Sequence, residues 1–226
     1  MENRLEQVKR LINNKEANER LIESGVIMLD PNSVWIDDRA RIEPGVILYP
    51  GVIIEGECKI GKDCIIGPNS RLVNSEIGEG TEVAYSVLLD CTVGAFTNVG
   101  PFAYIRPHSK VGDHCKIGDF VEIKNSVLGD GTKASHLTYV GDSDVGKKVN
   151  FGCGTVTVNY DGTKKYRTVI EDNVFIGCNS NLVAPVVLKE GAYTAAGSTI
   201  TDDVPAHSLG IARARQVNKE GWSKKL

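Results

Sequence analysis

Between residues 133 and 162 the chain carries side chains that can move a proton and hold an anion. The stretch reads Lys133-Ala134-Ser135-His136-Leu137-Thr138-Tyr139-Val140-Gly141-Asp142, then Val149-Asn150-Phe151-Gly152-Cys153-Gly154, then Asn159-Tyr160-Asp161-Gly162. A histidine, a tyrosine, two asparagines and a lysine-bearing loop here interrupt a regular aliphatic pattern. Histidine changes charge near neutral pH and so suits proton transfer. The regular part of the chain reads as scaffold and the interruption as site.

The scaffold has a period of six. Ile36, Ile42, Leu48, Ile54, Ile60, Ile66 and Leu72 are each six apart. After short slips the ladder resumes at Val93, Val99, Ile105, Val111, Ile117 and Ile123, and returns at Ile170, Ile176, Leu182 and Leu188. Two residues before each ladder position the side chain is small or β-branched: Ala40, Val46, Val52, Cys58, Cys64 and Ser70, then Thr97, Ala103, Ser109, Cys115 and Val121. A helix cannot keep such a pattern on one face at 3.6 residues per turn. Short strands joined by corners can, because residues two apart point to the same side of a strand. Glycine often follows the ladder residue, as at Gly61, Gly67, Gly94, Gly100, Gly112, Gly118 and Gly177, and this is expected to permit the backbone of a corner. Hexads of this kind mark parallel β-helices, three hexads to a triangular coil.

Ahead of the repeat, residues 2 to about 23 read as a helix. Leu5, Val8, Leu11, Ile12, Leu21 and Ile22 form a weak apolar stripe, with Gly25 as its stop, and a packed cap helix is expected. The chain has 226 residues and a formal net charge of -3, which gives no basic balance for nucleic acid or an acidic membrane surface. No apolar run approaches the roughly 20 residues of a membrane span, and the N-terminus lacks the apolar core of a signal peptide. Cys58, Cys64, Cys91 and Cys115 fall on small-residue positions of the repeat, a packing role that fits a reducing compartment. The expected location is cytoplasmic. Cys153 and Cys178 fall elsewhere in the repeat and stand apart.

The hexads resemble those of the hexapeptide-repeat acyltransferase superfamily. That likeness implies an all-β fold, a left-handed parallel β-helix with a short N-terminal α-helix, usually assembled as a homotrimer. The hand comes from the resemblance, since general crossover chirality favours the right. A narrower likeness rests on Tyr104-Ile105-Arg106-Pro107, Phe120-Val121-Glu122-Ile123-Lys124, the stretch Lys133 to Asp142, Val158-Asn159-Tyr160-Asp161-Gly162 and Lys219-Glu220-Gly221-Trp222, in that order. Together they resemble the acetyltransferase domain of the bacterial bifunctional enzymes that make UDP-N-acetylglucosamine. The likeness runs from about residue 20 to the C-terminus. It divides the chain into a helix at 1–25, a coil domain at 26–208 and a tail at 209–226 that covers the cofactor site. Nothing before Asp30 resembles the glycine-rich nucleotide loop of the uridyltransferase half, so nucleotidyl transfer is expected to be absent.

The family's roles are carried over by motif. They make His136 the general base, with Glu122 the carboxylate that orients it; a glutamate on a repeat surface is the other reading of Glu122. Arg106, Lys124 and Lys165 match ligands of an amino sugar phosphate, Lys165 on a loop that the family directs toward a neighbouring chain. Tyr139 and Asn150 match sugar-binding positions, or are ordinary exposed polar residues of a coil. Asn159 matches a residue that contacts the reacting groups. Backbone N–H at Tyr160 and the side chain at Cys178 serve the thioester side, where donors must meet a developing oxyanion. Cys178 stands where the family has serine, and a thiol is the poorer donor. Cys153 stands where alanine is usual. Ala196, Arg213 and Trp222 match contacts to acetyl-CoA, the co-substrate the resemblance implies; Trp222 could equally be a simple hydrophobic anchor.

The resemblance implies acetyl transfer from acetyl-CoA to glucosamine 1-phosphate, with no metal. Two other readings stay open: an N-acetyltransferase for another amino sugar or sugar nucleotide, and a catalytically weak trimeric scaffold that pairs with a separate uridyltransferase. His108 and His114, six apart, admit a zinc reading, which the lack of a third suitable histidine disfavours.

Overall fold

The computed structural model describes residues 15–225 together with Leu5, Glu6, Lys9 and Leu11. Almost every short strand pairs in parallel with the third strand after it, so the chain winds as a three-sided coil. The three faces are parallel sheets of 11, 10 and 9 strands. Ile47 faces Ile65 and Asn98 faces Lys116, so a regular coil is three hexads. The slips in the ladder are coils shortened at a corner, as between Glu82 and its partner Asn98. One coil is longer than three hexads, the one that runs from Asn150 to its partner Phe175.

The ladder residues fill the inside of the prism. Leu48, Ile54, Ile60, Ile66, Leu72, Ile105, Ile117, Ile123, Ile170 and Ile176 are fully buried, each stacked on its equivalent in the next coil. Burying one such side chain contributes about 1.5–3 kcal/mol. The small residues two before them are buried as well, Ala40 only partly. Cys58, Cys64, Cys91 and Cys115 are buried free thiols, as their positions imply. Burial pushes the Cys58 and Cys91 thiols up to about 11. Cys153 is half-buried and Cys178 exposed.

Gly100, with φ 106, bears out the expectation drawn from the glycines; the others correct it. Most corner residues with positive φ come three after the ladder residue, and many are not glycine: Asp63, Asn69, Phe96, Phe102, His108, His114 and Phe120. Gly61, Gly94, Gly112 and Gly177 are needed for a different reason, close approach between coils. A Cβ on Gly112 would lie 2.8 Å from the Asp130 backbone nitrogen, and one on Gly177 2.5 Å from that of Ala196. The left-handed corners carry aromatic rings that stack from coil to coil along one edge. Phe102 meets Phe120 at 5.5 Å and Tyr85 at 5.7 Å; on another edge Phe96 meets His114 at 5.3 Å. His108 and His114 are thus corner residues. Among the described residues no group of three or more His, Cys, Asp or Glu side chains could hold a metal ion.

Helix α1, Lys15–Glu23, closes the first coil. Buried Asn18 donates from Nδ2 to the carbonyls of Pro31 (2.9 Å) and Val34 (3.1 Å), and Leu21 packs against the core. Of the earlier helix expected from residue 2, Leu5, Glu6, Lys9 and Leu11 are helical; Val8 and Ile12 lie outside the described residues. At the other end the strand Leu209–Gly210 still pairs with Tyr193–Thr194, so the coil runs past residue 208. No helix among the described residues is long and apolar enough to cross a membrane.

Gly112 separates the two explanations for the glycines. Its φ is not positive, so alanine is conformationally acceptable there and would ordinarily be neutral or stabilising. With the next coil 2.8 Å from the added Cβ, Gly112→Ala should instead cost about 1–3 kcal/mol by urea unfolding. No loss of stability would mean that the coils are not held this closely.

Candidate active site

Because adjacent coils stay in register, residues one coil apart stand in columns. One column runs along the corner after the first sheet. Asp119 faces His136. The pairing of Ala134 with Phe151 carries His136 onto Cys153, that of Phe151 with Ile176 carries Cys153 onto Cys178, and that of Ile176 with Thr194 carries Cys178 onto Ala196. Backbone bonds of 2.7 Å from Asn179 N–H to the Cys153 carbonyl and from Gly197 N–H to the Cys178 carbonyl fix the lower part. The upper part is a side-chain pair: His136 Nδ1 lies 2.6 Å from Asp119 Oδ1. This hydrogen bond is the first cause holding the Asp119 carboxyl below its ordinary value.

Asp119, not Glu122, is the carboxylate that meets His136 here. Glu122 sits on the next face, in register with Tyr139, and its carboxylate takes Nη1 of Arg106 at 2.8 Å. The correction follows from coil length. Asp119 lies one coil before His136 and pairs with it, whereas Glu122 is separated from it by the corner at Leu137.

The cations form a second column on that next face. Ile105 pairs with Ile123, which sets Arg106 beside Lys124. The Lys124 ammonium is 3.2 Å from the Asp142 carboxylate. Asp142 is buried, at 5% exposure, on a left-handed corner of φ 49. It accepts hydrogen bonds from Asn125 Nδ2 (2.6 Å) and Asn159 Nδ2 as well. Burial alone would push its carboxyl up, but Asn125, Lys124 and Asn159 outweigh this and hold it below the usual carboxylate value.

The long coil supplies the third cation. Its extra residues form a hairpin that bridges Tyr160 to Lys165 and turns where Asp161 Oδ1 accepts from the N–H of Thr163 and Lys164. Arg167 closes its base, donating to both oxygens of Asp144 at 2.8 and 2.5 Å. Lys165 meets Lys124 of the same chain. The contact with Lys124 and then its charge lower the Lys165 pKa, Asp142 opposes this, and Arg106 adds to it. Arg106, Lys124 and Lys165 of one chain therefore lie near one another.

Tyr139 lies along the same face with its hydroxyl over Gly141, where a Cβ would come within 2.3 Å of that oxygen. Asn159 Nδ2 also points to the Tyr139 hydroxyl, at 3.5 Å. Buried Asn159 directs its two amide N–H groups to Asp142 and toward the Tyr139 hydroxyl, which leaves Oδ1 as its acceptor.

Other expected residues are not gathered there. Asn150 stands on the adjoining sheet in register with Lys133 and Phe175. Ala196 is exposed at the foot of the first column and Tyr160 is exposed on the hairpin. Arg213 is exposed just after Ala212, whose N–H reaches Ser198 Oγ at 3.1 Å, two residues from Ala196. Trp222 is 65% exposed, with Lys219 Nζ 5.6 Å from its ring. Sequence reasoning missed Asp119, Asp142 and Gly141. Three hexads back from His136 is Gly118, so only the register of this shortened coil finds Asp119.

Asp142 can be tested by stability. Asp142→Ala would leave the Lys124 ammonium and two amide groups without their carboxylate, and should cost on the order of 3 kcal/mol by urea unfolding. Asp142→Asn tolerates the left-handed corner and should lose less. Equal, small losses would mean that the carboxylate holds nothing in place.

The bacterial transferase hexapeptide (six repeats) pattern matches residues 39–74, 90–125 and 167–202. The bifunctional protein GlmU of Caldanaerobacter subterraneus subsp. tengcongensis is 56% identical over 208 residues, 92% of this chain and 46% of that protein. GlmU of Clostridioides difficile is 55% identical over 211 residues, 93% of this chain and 46% of that protein. Among solved structures, the UDP-N-acetylglucosamine acyltransferase from Campylobacter jejuni is similar at 16% identity and a TM-score of 0.48, over 78% of this chain and 69% of that one. The chain spans about half the length of the curated relatives it matches. It belongs to the bacterial hexapeptide-repeat transferases and corresponds to the C-terminal acetyltransferase region of the GlmU proteins.

Proposed function

We propose that this chain transfers an acetyl group from acetyl-CoA to the amine of glucosamine 1-phosphate, giving N-acetylglucosamine 1-phosphate for UDP-N-acetylglucosamine synthesis. One observation carries the reading. A histidine whose Nδ1 is held by a carboxylate stands in register with the small side chains Cys153, Cys178 and Ala196, beside a face on which three cations gather.

The chemistry follows from those positions. The amine nitrogen attacks the thioester carbonyl and must lose a proton as the C–N bond forms. His136 Nε2, the ring nitrogen not bonded to Asp119, takes that proton. Asn159 Oδ1 accepts from the amine and so aims its lone pair. The C–S bond then breaks, and the leaving thiolate takes up the proton that His136 gained. Arg106, Lys124 and Lys165 hold the acceptor's phosphate, with Arg106 already oriented by Glu122. Cys153, Cys178 and Ala196 are small enough for a thioester to lie along their column.

A homotrimer belongs to the same reading. Tyr85, Phe102, Phe120 and Leu137 are exposed on consecutive coils, and Phe120 and Leu137 directly follow Asp119 and His136 in the chain. A second copy covering that apolar edge would shield the base from water.

Thiol release from acetyl-CoA should be far faster with glucosamine 1-phosphate than with glucosamine, because only the former engages the three cations. Equal turnover of both would remove the phosphate assignment. His136→Ala should lower kcat by about 10²–10⁴-fold, the usual contribution of a general base, with acetyl-CoA binding by calorimetry retained. Normal turnover in that variant would leave the mechanism without its base.

A further inference from the structure

Within the acetyl-transfer reading, we propose that Asp119 is the positioning residue of His136, fixing the tautomer and ring orientation that the base requires. A neutral imidazole carries one N–H, and only the other nitrogen can take a proton. In water the proton sits mainly on Nε2, the wrong nitrogen for this site. The Asp119 carboxylate can only accept, so a 2.6 Å contact with Nδ1 places the N–H on Nδ1 and leaves the Nε2 lone pair free. The pair spans two adjacent coils locked by strand pairing: Lys116 faces Lys133, Ile117 faces Ala134 and Asp119 faces His136. The ring is thus held by backbone register rather than by a mobile loop. As the imidazole gains its proton, the carboxylate also supplies the nearest opposite charge.

The other groups around the ring do not compete for this role. Cys153, one coil on, is half-buried and a weak acceptor at best. Lys116 and Lys133 lie on the two strands of the pair and are cations. Glu122 is engaged with Arg106 on the next face, and Lys124 with Asp142. Asp119 is 37% exposed in its side chain and lies outside the core, so its replacement does not disturb packing.

The test uses three variants: Asp119→Ala, His136→Ala and the double replacement. Asp119→Ala should lower kcat at least about tenfold, part of the ~10²–10⁴ a general base supplies, with KM for both substrates within about twofold. In the His136→Ala background the same change should cost nothing further, since Asp119 acts only through the ring. Nitrogen-15 spectra of histidine-labelled protein should show the His136 N–H on Nδ1 in the wild type and mainly on Nε2 in Asp119→Ala. The proposal is overturned if kcat is unchanged, if the two replacements are independent, or if the spectra of wild type and variant agree. A wild type that turns over no amino sugar would sink the acetyl-transfer reading, while the spectra would still decide the role of Asp119.

Discussion

A strand N–H here donates to a carbonyl of the neighbouring coil, and those bonds decide where each side chain stands. Lys116 N–H bonds to Thr132, Lys133 N–H to Val149 and Asn150 N–H to Val174, at 3.0, 2.8 and 2.9 Å. Parallel pairing in register puts like positions above one another, whatever their side chains. Aliphatic ladders inside the prism make that stacking favourable, since each buried residue meets another of similar size. On the outside the same stacking builds columns of unlike residues, which is how chemistry arises on a monotonous scaffold. Asp119 over His136 and Arg106 beside Lys124 are both products of strand pairing.

Stacked cations would be unfavourable if nothing opposed them. Arg106 is matched by Glu122 at 2.8 Å and Lys124 by Asp142 at 3.2 Å. The Asp142 carboxylate is the costlier of the two, since its side chain is only 7% exposed against 38% for Glu122. Such a charge is tolerated only with several donors around it, and Asn125, Lys124 and Asn159 supply them. The cluster therefore ties Lys124 and Asn159 together through one buried group.

Much of the fold was legible because period six has one geometric solution. Leu48 and Ile66 differ in side chain, yet both read as the same interior site, and both are buried. The four packing cysteines could be sorted from Cys153 and Cys178 by hexad position alone. The glycines were legible as constraints but not in kind, because a glycine required by the next coil looks like one required by a corner. Aromatic and histidine residues on left-handed corners ran against local preference, and stacking between coils explains them. At the site, the motifs singled out His136, Arg106, Lys124 and Lys165 as candidates, but partners one coil away were hidden. Coil length varies: the coil from Glu82 to Asn98 is shorter than the one from Asn98 to Lys116. Asp119 and Glu122 are therefore both reasonable partners for His136 until the register is known.

The hairpin between Asn159 and Arg167 shows how the scaffold admits a functional insertion. A closed loop grows costlier only slowly with length, so a few extra residues at a corner are inexpensive if both ends stay in register. They do: Val156 pairs with Asn181 below, and Thr168 with Ser143 above. Asp142 holds the first end through Asn159 and Asp144 the second through Arg167, so two carboxylates from one coil clamp the loop. What the clamp delivers is Lys165, which among the described residues forms no ion pair with a carboxylate, unlike Arg106 and Lys124. Its amine is depressed by Lys124 before anything else. Lys165 has no carboxylate of its own on that face, since Asp142, which favours its charge, is shared with Lys124. An anion arriving there would relieve the repulsion between Lys165 and Lys124.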